Sequence, residues 1–552
     1  MPAKPSTSAT SPAFALFDSR DDSSPAGAWL LTQLREEVRC TDPSNWEACL
    51  QELEDAAKGG AWVALAARYE LGYAIEPRLL PLLQAGHGPL VTGWVFEHAE
   101  WLDDDACEAW LATRAGSDVG GTGRMQPGIG EADYLQQVER IRRYIAAGDC
   151  YQVNLTFPLD GEAFGNPARL YQALRAAQPV GYGAFIAHAG GAILSRSPEL
   201  FLERQGLRLE SRPMKGTAPR HTDPAALAAS EKDRAENVMI VDLIRNDMGR
   251  LAPPGGVRVE DLCRIEAYPT VWQMTSRVVA EPVDASLPEI FRALFPCGSI
   301  TGAPKIRAMA RISELESEPR ELYTGALGWV APGGDCRFNV AIRTLEIDAK
   351  RQARLGIGSG IVIDADPARE YAECLLKASF LTGFDPGFEL IETTRLVEGA
   401  YPLMALHLQR IESSACALGF VCNVSAISEL LAAVARECRD GAYRVRLTLA
   451  HDGRLSIQHA TMPTDARQWQ IVIADEALDG DDYLLRHKTT ARSRYDGVLA
   501  SLAATPEAEP QVVFLPDGEI SRFTLTLQSY DKQHHFRVVS QGAAPVSVEN
   551  DD

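Results

Sequence analysis

The stretch "LGIGSGIVIDADPAREYAECLLKASF" (residues 355–380) contains a strand and a helix in succession. Its first half, glycines alternating with β-branched residues, reads as a strand. In its second half Asp366 can cap a helix and Pro367 suits the first helical position, which fixes the register. Glu370, Glu373 and Lys377 then share one helix face. Two carboxylates a turn apart form half of a hard-cation site, because Mg²⁺ takes a few carboxylate oxygens and leaves room for water and substrate. A solvated charged face with a Glu–Lys pair is the alternative.

Outward from this stretch, strand-like runs such as "GAFIAHAGGAILS", "LYTGALGWVA" and "FNVAIRTLEID" alternate with helical ones over residues 150–380. Antiparallel-looking strands mixed with helices predict an α+β or layered fold rather than a regular βαβ series. Upstream, apolar positions Leu135, Val138, Ile141 and Ile145 predict an amphipathic helix that stops at Gly148. "GAWVALAARYELGYAI" and "PLVTGWVFEHAEWL" read as strands, and the Gly-rich residues 116–130 as a linker or loop. Residues 1–12 are Pro/Ser/Thr/Ala-rich and read as disordered. Turn residues in "TGFDPGF" (382–388) mark a boundary, dividing the chain into residues 13–384, with 13–115 as an N-terminal layer and 131–384 as the main part, and residues 388–552.

The 552 residues carry 46% hydrophobic and 23% charged side chains, globular usage that is too long for one core. A net charge of -21 with no Lys/Arg run argues against nucleic-acid binding. Eleven cysteines without C-x-x-C spacing fit neither a disulfide framework nor a zinc site, so a reducing cytoplasm is expected. No apolar run has membrane-spanning length.

Further candidates carry their own alternatives. Lys215 in "SRPMKGTAPR" (211–220) is a surface charge or a nucleophile held by its neighbours. Glu236 precedes the apolar run "VMIV" in "SEKDRAENVMIVDLIRNDMGR", where a buried carboxylate needs a cation and a solvent-facing one does not. "CGSITGAPK" (297–305) and "GIGSGIV" (356–362) bring backbone amides close to an anion or simply turn the chain. Arg343 lies in a strand-like run, where it needs solvent or an anion such as a carboxylate.

Together, "GDCYQVNLTF", "SRSPELFL", "RPMKGTAPR", "EKDRAENVMIVDLIRND", "CGSITGAPK", "LYTGALGW", "NVAIRT", "GIGSGIV" and "EYAECLLK" resemble, in order, the motifs of the chorismate-utilising enzymes over residues 130–380. The resemblance implies Mg²⁺ on Glu236, Glu370 and Glu373, and Glu199 as general acid/base. It implies chorismate contacts from Thr301, Tyr323, Arg343, Lys377 and the backbone of Gly358, Ser359 and Gly360. Thr217 joins them within the "P-x-K-G-T" motif. Isochorismate and salicylate synthases carry a lysine base where Gln152 stands; glutamine cannot take a proton, so water addition is disfavoured. Anthranilate synthases have alanine where Lys215 stands, and lysine there marks the aminodeoxychorismate synthases. Lys215 is then the expected nucleophile, ammonia the second reactant, and a separate glutamine amidotransferase the expected partner. Anthranilate formation is the nearest alternative, and a catalytically silent binding subunit a more distant one.

From "FELIETTRLVEGAYPLMALHLQRIESSACALGF" onward the chain resembles fold-type IV pyridoxal phosphate enzymes, specifically the aminodeoxychorismate lyases. The resemblance puts the phosphate on Arg410 and the Schiff base on Lys488. Arg522 stands where that family has a glutamate facing the pyridine nitrogen, and the chain ends at Asp552, before the family's later segments. An impaired or inactive lyase-like domain is expected, with a bifunctional synthase and lyase as the alternative.

Overall fold

The computed structural model describes residues 13–20, 26–84, 86–268, 271–462, 468–473, 483–492, 496, 508–513, 523–528 and 533–538. Residues 1–12 and Arg522, both subjects of sequence expectations, lie outside them. The chain forms two compact units. Met1–Arg114, Met125–Gly161 and Tyr171–Gly383 make the first; Ala115–Arg124, Glu162–Leu170 and Phe384–Asp552 make the second.

The first unit is built on a ladder of antiparallel strands. Arg208–Arg212 pairs with Leu200–Gln205, which pairs with Cys336–Val340, then Ala326–Val330, Trp62–Ala67 and Val91–Asp103. The ladder continues through Gly27–Cys40, Phe14–Ser19, Tyr182–His188, Gly191–Ser197, Thr344–Asp348 and Gln352–Ile361. Long-range pairing makes the strands legible by alternation: Ala15, Phe17, Leu31, Ala64, Ala66, Trp94 and Phe96 fill one core. Three helices flank the region of interest: Glu131–Ala146, Glu231–Met248 and Pro367–Thr382. Their starts are set locally, Ser230 accepting from Asp233 N and Asp366 from Arg369 N.

Three sequence expectations change. The run 60–75 is a strand only to Ala67; its pairing with Val91 ends there, and Leu71–Ile75 is helical. Arg343 falls between strands with φ 48, so it ends a turn rather than standing in a strand. The Gly-rich 116–130 segment contains strand residues Gly120–Thr122, paired with Ala163–Gly165 in the second unit. The glycine at 120 permits close approach there: an added Cβ would lie 2.3 Å from Asn166 O.

The second unit's best described part is an antiparallel meander of Leu390–Val397, Ala442–Leu449 and Leu455–Thr461. Helices Met404–Leu418 and Val424–Glu437 cover it, burying Ile411, Leu418, Ile427, Leu431 and Val434 against Leu396, Val445 and Leu447. Gly419, at φ 77, ends the first of them in the left-handed region.

Candidate active site

Lys215 leaves the strand Met214–Pro219 and points toward the Glu231–Met248 and Pro367–Thr382 helices. The residue is half-buried, but its amino group sits deep among neighbouring atoms. Burial lowers its pKa, and the carboxylates of Glu199, Glu236 and Glu373 pull the other way; Lys377 adds to the lowering. A Cβ added at Gly360 would come within 2.2 Å of Gln152 Nε2 and 3.5 Å of Lys215 Nζ. The glycine therefore lets the Gln352–Ile361 strand lie against both side chains.

Glu199 is buried, and its Oε1 accepts a hydrogen bond from Ser299 Oγ at 2.5 Å. Burial pushes its carboxyl up to about 7, against the opposing effects of Ser299, Lys215 and the Met214 backbone. A carboxyl with that pKa holds or gives a proton near neutrality. Ser299 lies a hundred positions from Glu199, and only its place in "CGSITGAPK" hinted at a role.

The expected face of the Pro367–Thr382 helix is present. Lys377 Nζ lies 2.9 Å from Glu373 Oε1 and donates to Gly358 O at 3.0 Å. Glu370 has a raised pKa, from burial first and from Glu373 beside it, while the Ser359 hydroxyl opposes the rise. Tyr134 OH and Ser359 Oγ are 2.9 Å apart, which extends the polar chain to the Glu131–Ala146 helix. Two neighbouring carboxylates, one of them desolvated, offer oxygen donors suited to Mg²⁺ with water completing its shell. Among the described residues, however, no three His, Cys, Asp or Glu side chains stand together as a metal-holding group. Glu236, on the Glu231–Met248 helix, lies close enough to Lys215 to oppose the lowering of its pKa.

The remaining predicted contacts divide. Thr301 is buried and donates to Cys297 O at 2.8 Å. The Tyr323 ring packs under Gly356, where a Cβ would meet it at 2.0 Å. Arg343 turns its guanidinium to Gln178 Oε1 at 3.1 Å, and burial lowers its pKa. Thr217 is exposed and donates to Gln273 Oε1 at 2.8 Å, away from the lysine cluster. A register shift between Met214 and Thr217 breaks the alternation that would have put Lys215 and Thr217 on one face. The Gln152 amide oxygen is buried without a hydrogen-bond partner.

In the second unit, Arg410 Nε donates to Glu392 Oε1 at 2.7 Å, and His407 Nδ1 lies 2.7 Å from Glu392 Oε2. Burial lowers the Lys488 pKa, helped by Arg410, Arg492 and Arg446 and opposed by Glu392. The desolvated Lys488 amine with arginine charge near it is of the kind that takes an aldehyde, while the Arg410 guanidinium lies against the Glu392 carboxylate.

Residues 389–525 match the amino-transferase class IV family, and residues 33–383 match the chorismate binding enzymes. Anthranilate synthase component 1 of Streptomyces coelicolor is 43% identical over 269 residues, 47% of this chain and 52% of that protein. Aminodeoxychorismate synthase component 1 of Bacillus subtilis is 42% identical over 256 residues, 45% of this chain and 54% of that protein. The match thus spans about half the length of these relatives. The crystal structure of anthranilate synthase component I from Streptococcus pneumoniae superposes with a TM-score of 0.53 at 25% identity, covering 67% of this chain and 90% of that one. With a family match across most of its length and the matching fold, the chain belongs to the chorismate binding enzymes.

Proposed function

We propose that the first unit aminates chorismate to 4-amino-4-deoxychorismate. What carries this reading is the placement of Lys215 within electrostatic reach of the buried Glu199, burial lowering the amine and pushing the carboxyl up to about 7. Neutral Lys215 attacks the ring conjugately while Glu199 gives its proton to the departing hydroxyl, which leaves as water. Ammonia then forms the new C–N bond as the lysine–carbon bond breaks, and Lys215 is released as the amine. Burial makes both steps accessible near neutrality, since an ordinary lysine is almost wholly protonated there.

Glu236, Glu370 and Glu373 would hold Mg²⁺, which would neutralise a substrate carboxylate. Gln152 beside Lys215 offers no base to activate water. Ammonia comes from a glutamine amidotransferase partner, and free ammonium replaces it in vitro. No helix among the described residues is long and apolar enough to cross a membrane.

In the second unit Lys488 and Arg410 would bind pyridoxal phosphate, whose ring supplies an electron sink. Arg522, where the resemblance places a glutamate, cannot keep the pyridine nitrogen protonated, so we infer an impaired lyase. Anthranilate formation is the second reading, favoured by the near-equal identity to the Streptomyces coelicolor relative and opposed by Lys215.

Product analysis by mass and ultraviolet absorbance decides between these readings, after incubation with chorismate, Mg²⁺ and ammonium, with and without pyridoxal phosphate. Aminodeoxychorismate alone in both arms is the expected result. 4-Aminobenzoate with pyruvate would make the chain bifunctional, and anthranilate or isochorismate would overturn the roles of Lys215 and Gln152.

A further inference from the structure

Close to the proposed substrate contacts lies a buried ion pair to which the reaction assigns no role. Glu316 and Arg320, four residues apart, are both almost inaccessible to solvent. Arg320 Nε donates to Glu316 Oε2 at 2.8 Å and Nη2 to Oε1 at 2.7 Å. The guanidinium also reaches two main-chain carbonyls, Asn154 O at 2.6 Å and Ile300 O at 3.2 Å. Glu316 Oε1 accepts from Thr156 N at 2.9 Å and Thr156 Oγ1 at 3.0 Å. Beneath the guanidinium, at 4.4 Å, lies the ring of Tyr69.

Each anchor point borders a residue of the proposed substrate wall. Asn154 follows Gln152 by two positions on one strand, and its N–H donates to Thr301 O at 3.0 Å. Ile300 immediately precedes Thr301. Thr156 packs on Gly358, where an added Cβ would meet its Cγ2 at 2.8 Å. Tyr323 N donates to Arg320 O at 3.1 Å. One side chain pair thus ties together backbone from three separate parts of the sequence.

We propose that Arg320, braced by Glu316, is the positioning residue that holds Gln152, Thr301, Tyr323 and Gly358 in register to receive substrate. The proposal rests on reading the site as a chorismate site. A purely stabilising role explains the pair poorly. Buried ion pairs cost desolvation that apolar side chains of similar volume avoid, and replacing both partners is often neutral or stabilising. What an apolar pair cannot do is aim several donors at fixed carbonyls, and a lysine lacks the planar fork that does so.

The test combines steady-state amination with ammonium, chorismate binding by calorimetry, and thermal unfolding. It compares wild type with Arg320→Lys and with the double variant Arg320→Met/Glu316→Leu. The double variant leaves the Asn154 and Ile300 carbonyls and the Thr156 donors unpaired and is expected to lose stability but stay folded at the assay temperature, while kcat/KM for chorismate falls by about 30-fold or more, most of it in KM. Arg320→Lys, which keeps the charge, is expected to lose about 10-fold, again chiefly in KM. A folded double variant within threefold of wild type overturns the positioning role. Full rescue by Arg320→Lys also overturns it, and this arm decides if the double variant does not fold. A wild-type chain that neither binds nor aminates chorismate overturns the site reading and this proposal with it, whereas an active wild type with an unimpaired double variant overturns the positioning role alone.

Discussion

Lys215 and Glu199 need opposite protonation states to work together, the amine neutral and the carboxyl protonated. Burial moves both groups in the required direction, lowering the lysine and lifting the glutamate to about 7. The rate should therefore be bell-shaped in pH: it falls at low pH as Lys215 gains its proton and at high pH as Glu199 loses its own. Glu199→Gln leaves only Lys215 to titrate. Its amination rate is expected to rise with pH to a plateau and stay there, lowered by about 100-fold or more across the range. A retained alkaline fall in the variant would assign that limb to another group. Lys215→Ala should reduce amination by about 1,000-fold or more, measured as single-turnover product formation, and an unimpaired variant would remove the nucleophile assignment.

Among the elements, the Pro367–Thr382 helix was the most legible because its register is fixed locally. Asp366 and Pro367 set the start, and the relative placement of Glu370, Glu373 and Lys377 follows from helical geometry. Its chemistry gives a second prediction. Glu373 balances Lys377 at 2.9 Å and raises Glu370 by repulsion, so removing its charge leaves one fewer oxygen donor for a cation. Glu373→Gln is expected to raise the Mg²⁺ concentration for half-maximal amination by about 10-fold or more, with thermal stability little changed because the side chain is exposed. An unaltered Mg²⁺ response would mean that the face is only solvated. Other elements were less legible because their geometry depends on distant chain. The register shift that turns Thr217 outward exists only because Met214–Pro219 pairs with Val271–Ala280. The Ser299 hydroxyl on Glu199 joins residues from different motifs. The glycines at 120 and 121 look like linker residues until the strand that needs their small size is in place.

At the scale of the whole molecule, the excess of carboxylates that gives the chain its charge of -21 extends into the first unit's interior. Glu70 is 4% exposed, and one of its oxygens lacks a hydrogen-bond partner. The other accepts from Arg320 N at 2.8 Å. Burial, with Glu321 nearby, pushes this carboxyl up to about 8, while Arg68 and the backbone bonds oppose the rise. Its ordinary value in the unfolded chain is 4.5. The folded state therefore holds a proton that the unfolded state releases, and the sign follows from linkage. Below the unfolded value the group costs nothing. Stability then declines as pH climbs from 4.5 toward 8, and above 8 the loss is complete. Glu70→Gln keeps an acceptor for Arg320 N and removes the titration. Denaturant unfolding should find the variant close to wild type at pH 5 and more stable by about 2–3 kcal/mol at pH 9, a share of the full linkage because the buried site can relax around the charge. Equal gains at both pH values would assign the effect to packing, and no gain at pH 9 would mean that Glu70 ionises there without cost, paired with Arg68 or Arg320.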